Sequence, residues 1–233
     1  MRALGLDTST LTGSVGVADQ SGLLVQLSVA TRDTHSVRLL AAVSAVLDAA
    51  GLAPADLDLI GVASGPGSFT GLRIGMATAK GLALALGRPI LGISTLEATA
   101  LTVHRVSGAP LVCVVMEAGR GEVYRGIYSF AEGEHRALDA ESAMSPVQAV
   151  TGLPDGCLLA GDATPRCKSL IPSPAGRLTL WMETLPIAAT IARRALNILE
   201  RHEADRRAGR GLPALQPNYL RPADAELTPV RAR

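Results

Sequence analysis

One stretch constrains this chain more than any other: Ile60-Gly-Val-Ala-Ser-Gly-Pro-Gly-Ser-Phe-Thr-Gly-Leu-Arg-Ile-Gly-Met-Ala-Thr-Ala-Lys-Gly-Leu-Ala-Leu-Ala-Leu86. The apolar run ending at Ser64 reads as a buried strand, Gly65-Pro66-Gly67 stops it, and Ser68 caps the helix that follows. In that helix Gly71, Gly75 and Ala79 recur every four residues, so one face is almost bare, while Leu72, Met76, Ala83 and Leu86 put bulk elsewhere. Each interior glycine costs a helix about 1 kcal/mol relative to alanine, a penalty offset when another backbone packs unusually close. The bare face therefore either packs onto the chain's own sheet or neighbouring helix, or docks another subunit. It is not a Walker A loop, because Leu72 and Arg73 follow Gly71 where Lys and Ser/Thr are required. Arg73 and Lys80 also interrupt the apolar run that a membrane span would need.

With 233 residues, 48% of them hydrophobic, the chain is long enough for one large domain or two lobes with separate cores. A net charge of +1 excludes the basic field that binds nucleic acid unaided, and 3% aromatics exclude stacking platforms for single strands. Cys113, Cys157 and Cys167 are odd in number and lack Cys-x-x-Cys spacing, which argues against a disulfide framework and a structural zinc site. The N-terminus has no apolar signal region, so a cytoplasmic location is expected.

Along the chain, strands are expected at Arg2 to Leu6, Thr12 to Ala18 and Leu23 to Ala30. A helix follows from His35 to Ala50, with Leu39, Leu40, Val43, Val46 and Leu47 at helical spacing. After the strand at Leu59 to Ser64 and the glycine helix come a strand at Pro89 to Ile93 and a helix opened by the capping-box pattern Ser94-Thr-Leu-Glu97. The order βββαβαβα makes an α/β lobe with a mixed sheet over residues 1–107. Ser107-Gly-Ala-Pro110 marks the boundary of a smaller lobe, 108–233, with strands at Leu111 to Met116 and Gly121 to Phe130. Signals weaken from Ala131 to Thr184. Pro186 then opens a long helix with Ile187, Ile191, Ala195 and Ile198 on one stripe, and its arginines, interleaved with acids, read as a solvated face. No internal repeat is visible in the letters.

A lobe that opens with strand-Asp-Thr-Ser is the ribonuclease H-like arrangement, which admits three chemistries. A two-metal nuclease needs further carboxylates near Asp7, and the strand beside it ends in Ala63-Ser64 instead. An actin-like phosphotransferase holds ATP between lobes with an Asp turn in each. Here the second turn is Met116-Glu-Ala-Gly-Arg-Gly121, with Glu117 in place of Asp, and only Gly161-Asp162 stands for a glycine pair at the adenosine. A metalloenzyme needs histidines at ligand spacing, and His35, His104, His135 and His202 are scattered. The frame is intact while the hard chemistry is missing, a combination expected of a degenerate partner of an active paralogue. No catalytic residue and no metal ligand is assigned.

The chain resembles the TsaB (YeaZ) family of tRNA threonylcarbamoyladenosine biosynthesis proteins, non-catalytic paralogues of TsaD. The resemblance rests on Leu6-Asp-Thr-Ser9, His35-Ser-x-x-Leu-Leu40, Ser64-Gly-Pro-Gly-Ser-Phe-Thr-Gly-Leu-Arg-Ile-Gly75 with Lys80-Gly-Leu82, Gly92-Ile-Ser-Thr-Leu96, Gly121-Glu-Val-Tyr124, Leu185-Pro186 and Pro217-x-Tyr-Leu-Arg221. It implies an actin-like, two-lobed α/β fold with mixed sheets flanked by helices. It also implies a scaffold role: activating a TsaD-like catalytic subunit that transfers threonylcarbamoyl to N6 of the adenosine next to the anticodon, with a TsaE-like ATPase joining the complex. Pairing through the first two helices, homodimers of the lone protein, tRNA contact only through the complex and no membrane follow from the same resemblance. The partner face expected on that basis comprises His35, Leu39, Val43, Phe69, Gly71, Arg73, Gly75, Met76, Ala79 and Lys80. Asp7, Thr8, Ser9 and Glu117 would be a vestigial nucleotide contact, with no cofactor held tightly and ATP or ADP expected only at the interface of the complex. The family pattern has Asp-Ala-Arg before Gly-Glu-Val-Tyr; here Glu117-Ala-Gly-Arg120 precedes it. The alternative is a stand-alone ATP-dependent actin-like kinase; a peptidase has no ligand set to support it.

Overall fold

In the computed structural model, residues 1–30, 35–131, 133–171, 179–180, 185–206 and 214–220 are described. The first sheet contains β1 (Arg2–Asp7), β2 (Thr12–Asp19), β3 (Leu23–Ala30), β4 (Leu59–Gly65) and β5 (Ile90–Ser94), in the order β3-β2-β1-β4-β5. The first three strands are antiparallel and the last two join in parallel, as the ribonuclease H-like expectation requires. Parallel pairing demands crossovers, which α1 (His35–Ala49) and α2 (Phe69–Leu86) supply. Ser68 caps α2 through its hydroxyl, 3.2 Å from the Gly71 amide, and Gly87 ends the helix in the left-handed region.

Beyond α3 (Thr95–Ser107), the second sheet is built from β6 (Leu111–Gly119), β7 (Glu122–Ala131), β8 (Glu134–Ala137), β10 (Leu158–Ala160) and β11 (Thr179–Leu180), with β9 (Ser142–Met144) pairing β7 off the main path. Its order, β8-β7-β6-β10-β11, repeats that of the first sheet: three antiparallel strands, then two parallel ones. The duplication is one of topology. The crossover helices shrink to α4 (Pro146–Val150) and α5 (Thr164–Lys168), so the second lobe carries little of the periodic pattern that betrays the first.

From sequence, the long final helix belongs to the second lobe. Instead α6 (Ala188–Arg206) returns to the first sheet, where Ile187, Ile191, Ala195 and Leu196 pack with Ala3, Leu59, Ala63 and Leu91. The complementary exchange is made by α3, whose Leu96, Ala100 and Val103 enter the second-lobe core with Val112, Val114 and Tyr124. Gly16, Gly5 and Gly61 are register partners across β2, β1 and β4, and they form the floor on which α6 lies. A Cβ on Gly5 would collide with the Ala188 carbonyl oxygen, and one on Gly61 would stand 3.1 Å from that of Ile191. The first free amides of α6 are satisfied by the first lobe: Ala188 N donates to Ser14 Oγ at 3.2 Å and Ala189 N to Gln26 Oε1 at 2.8 Å. Thr102 of α3 and Thr190 of α6 meet through their hydroxyls at 2.6 Å.

On the other side of the first sheet, α1 and α2 cover Leu4, Leu6, Val15, Val17, Ile60 and Val62 with Leu39, Val43, Val46, Leu47, Met76, Ala79 and Ala83. The bare face of α2 is resolved in favour of packing within the chain. A Cβ on Gly71 would collide with the Thr8 carbonyl oxygen and one on Gly75 with the Thr8 hydroxyl, while Thr8 Oγ1 donates to the Gly71 carbonyl at 2.7 Å. A side chain at Gly75 would disrupt this internal contact as well. Replacing Gly71 by Ala should cost about 1–3 kcal/mol by overpacking against backbone that cannot yield. Gly81 has nothing within 4 Å of its Cβ position, and Gly81→Ala should stabilise by up to about 1 kcal/mol. Urea denaturation of both variants checks this pair of opposite signs; a Gly71→Ala protein as stable as the parent would show that Thr8 does not need the bare face.

Candidate functional site

The residues expected to face a partner divide into two sets. Leu39, Val43, Gly71, Gly75, Met76 and Ala79 are buried within the first lobe and are not available to another chain, a correction that follows from the packing of α1 and α2 onto the sheet. Arg73 and Lys80 are exposed and Phe69 is half-buried. His35 begins α1, and its side chain lies outside the described residues. The outward faces of the two helices add Leu40 and Leu84, which are 55% and 86% exposed, together with Ala41, Ala45, Ala77 and Ala85. On α2 these apolar side chains alternate with the exposed cations Arg73 and Lys80. Sequence reasoning followed the glycines inward and missed the outward alanines and leucines, whose signal was their alternation with the core positions at helical spacing.

The Asp7-Thr8-Ser9 turn is directed inward. Asp7, Thr8 and Ser9 are all buried, and Asp7 Oδ1 accepts from Ser9 N at 2.9 Å and from Ser9 Oγ at 2.6 Å. Ser9 O accepts from Ser68 N at 2.7 Å, which fixes the turn to the N-terminus of α2. At the matching place in the second lobe, the Glu117 carboxylate turns to Arg166, 3.1 Å from Nη2, while Glu117 N donates to Asp162 Oδ1 at 2.9 Å. Asp7 is thus tied to its own turn, and Glu117 to Arg166 of α5. Between the lobes lies a cleft lined by Asp7, Thr95, Thr99, Met116, Gly161 and Asp162, with a cavity volume of about 20 Å³. That is room for one water molecule, whereas small-molecule sites run to about 300–1,000 Å³.

Two hydrogen-bonded clusters hold them together. Glu97 of α3 fits the capping-box pattern, yet only half of the box forms: Ser94 Oγ accepts from the Glu97 amide at 3.2 Å, and the carboxylate goes elsewhere. Its Oε1 lies 2.7 Å from His135 Nε2 on β8 and 2.9 Å from Arg194 Nε on α6, so one acid joins both lobes to the returning helix. Desolvation pushes the Glu97 carboxyl upward, but the His135 hydrogen bond and the Arg194 charge overcome it and hold the group below its ordinary value. The second cluster centres on Glu141. Its Oε1 accepts from Tyr128 OH at 2.5 Å and from Ser94 Oγ, and its Oε2 from Asn218 Nδ2 at 2.8 Å. Sequence reasoning singled out neither His135, Glu141 nor Arg194 for these roles, because their partners are remote along the chain.

Burial raises the thiols of Cys113 and Cys167 and pushes that of Cys157 up to about 11, which leaves them protonated at neutral pH. Among the described residues no group of three or more His, Cys, Asp or Glu could hold a metal ion, and no helix is long and apolar enough to cross a membrane.

The family model for TsaD, tRNA N6-adenosine threonylcarbamoyltransferase, matches residues 28–209. The chain is 38% identical over 133 residues to the tRNA threonylcarbamoyladenosine biosynthesis protein TsaB of Bacillus subtilis, covering 57% of each chain. It is 35% identical over 147 residues to that of Escherichia coli, covering 63% of each. The aligned stretches thus span less than two thirds of these curated relatives. The solved structure of YeaZ from Pseudomonas aeruginosa superposes with a TM-score of 0.77 at 31% identity, covering 87% of this chain and 93% of that one.

The Glu97 cluster makes acid, not base, the condition that loosens the junction. A carboxyl held below its ordinary value in the folded chain contributes its stabilisation above the ordinary carboxylate range and loses it as pH falls through the folded value. At pH 7, Glu97→Gln should be less stable than the parent by about 1.5–3 kcal/mol, the worth of hydrogen bonds to a charged group. Urea midpoints measured between pH 7 and pH 3 should show this gap closing below about pH 4.5, the ordinary value. A gap of constant size across that range would mean that the ionised carboxylate does not hold the cluster.

Proposed function

The chain belongs to the TsaB/YeaZ family, and from that premise we propose that it is a non-catalytic scaffold and activator of tRNA threonylcarbamoyladenosine synthesis. It pairs with a TsaD-like catalytic subunit through the outward face of α1 and α2. The catalytic subunit carries out threonylcarbamoyl transfer to N6 of the adenosine next to the anticodon; the scaffold makes and breaks no bond. A TsaE-like ATPase joins the complex, any ATP or ADP sits at the interface between subunits, and tRNA is met through the complex in the cytoplasm. Alone, the chain forms a homodimer through the same helices.

The observation that carries this reading is the contrast between the buried Asp7 turn and the outward face of α2. Where an actin-like phosphotransferase would hold nucleotide, Asp7 is spent on Ser9 and the cleft admits one water molecule. Where a partner would dock, Leu84 is 86% exposed on a helix that also presents Arg73 and Lys80. A solitary exposed leucine means little, but α1 and α2 also expose Leu40 and four alanines, apolar surface of the kind that marks an interaction site. The small side chains let two helices of a partner approach closely, and the leucines supply the apolar area.

Threonylcarbamoyladenosine formation on tRNA, with the catalytic subunit, the ATPase and the adenylate-forming enzyme from the same organism, should require this protein. Leu84→Asp should retain the thermal stability of the parent, because the side chain is solvent-facing, and should weaken the heterodimer at least about tenfold, or 1.4 kcal/mol. Product formed at the same rate without the protein would refute the pathway role. ATP turned over several times per second by the isolated chain, and abolished in Asp7→Ala, would favour the kinase alternative instead.

A further inference from the structure

The sequence Pro217-Asn-Tyr-Leu-Arg221 is left unexplained by docking on α1 and α2. Its first four residues belong to an extended strap, 214–220; Arg221 lies outside the described residues. Leu215 packs against the first-lobe core and Leu220 against the second-lobe core. Between them, Asn218 N donates to Ser64 O at 2.7 Å, and Asn218 Nδ2 reaches the Glu141 carboxylate that also holds Ser94 and Tyr128. The Asn218 carbonyl oxygen passes 2.8 Å from the Cβ position of Gly65, so the strap crosses the turn that precedes α2 in close contact.

Tyr219 is flanked by these anchors, yet it remains 41% exposed. Its ring lies 5.2 Å from that of Phe69 at 37°, and the Arg73 guanidinium carbon stands 3.9 Å from the Phe69 centroid. Tyrosine, phenylalanine and arginine thus form a ladder at the N-terminal end of α2, pre-positioned by a strap whose backbone is already paid for by the fold. Tyrosine and arginine are the residue types on which interface energies concentrate. Among the described residues neither Arg73 nor Lys80 has a carboxylate partner.

We propose that the strap adds Tyr219 to the docking face of α2, and that the Tyr219–Phe69–Arg73 ladder fits a partner surface presenting an apolar side chain beside a carboxylate. The inference rests on the docking role given to α2 above. Charge selects the occupant. In the homodimer a twofold axis brings the same cationic patch against itself and makes the second copy the weaker occupant, whereas an acidic partner neutralises Arg73 and Lys80.

Titration calorimetry of the full chain against the same-organism catalytic subunit, at low and at high salt, tests this. Tyr219→Ser should weaken binding at least tenfold with an unchanged melting temperature, and Tyr219→Phe should restore most of it. Arg73→Gln should weaken binding and flatten its salt dependence. Leu84→Asp separates the two readings. If it abolishes binding while Tyr219→Ser stays within twofold of the parent, the ladder is overturned and the helix face stands. If Tyr219→Ser alone loses binding, the ladder stands and the helix face falls; if neither does, both fall. Loss of self-association by Tyr219→Ser, with heteromeric affinity unchanged, would assign the ladder to a second copy and overturn the acidic partner.

Discussion

The structure depends on the approach of α6 to a floor without side chains. Gly5, Gly16 and Gly61 sit abreast on three neighbouring strands, and the helix backbone at Ala188 to Ile191 lies directly on them. Sheet and helix usually stand apart by the length of their side chains. Here the separation shrinks, and the apolar work shifts to the rim, where Ile187, Ile191 and Leu196 meet Leu59, Leu91 and Ile93. The closeness also brings the open amides of α6 within reach of Ser14 and Gln26, so a helix that begins just after a lobe-crossing segment needs no cap of its own. Because α6 comes from beyond the second lobe and α3 leaves the first lobe to cover the second sheet, the two lobes exchange helices. Their relative position is a consequence of packing and not of a linker.

The elements of the first lobe are legible in the letters because each rests on local rules. Ser68 and Gly87 delimit α2 by capping, and the period of Leu39, Val43 and Leu47 announces α1. The duplicated topology is not legible, since the crossover helices of the second lobe are one turn long and its strand β8 is largely exposed. The glycines of α2 were legible only as a demand for close approach. Both available partners satisfy that demand equally on paper, and the choice lay with Thr8, a small polar residue just past β1 whose hydroxyl reaches the Gly71 carbonyl. Glu97 misleads for a related reason. Its spacing from Ser94 satisfies the capping rule, but an ion pair to Arg194 and a hydrogen bond to His135 outcompete a backbone amide, and no window short enough to scan by eye contains all three residues.

The inward Asp7-Thr8-Ser9 turn also fixes α2 against the first sheet. In an actin-like enzyme the acid after the first strand must stay open to phosphate, and the helix that follows the fourth strand must leave it space. In this chain Thr8 fills the hollow in α2, Ser9 holds both Asp7 and the Ser68 amide, and α2 is drawn against the end of β1. A helix fixed at its first turn and packed along one face offers its opposite face as a rigid surface, so little conformational entropy remains to be lost when a partner settles on it. The strap reinforces this end of the helix from outside, linking Ser64, Glu141 and Phe69 in one hydrogen-bonded and aromatic chain. A partner seated on α2 would therefore bear on the junction that carries Glu141 and, one helical turn along α3, Glu97. Under the scaffold role proposed above, stiffness between the outward face of α2 and the lobe junction is the useful property, and Thr8 and Ser9 provide it at the first turn of the helix.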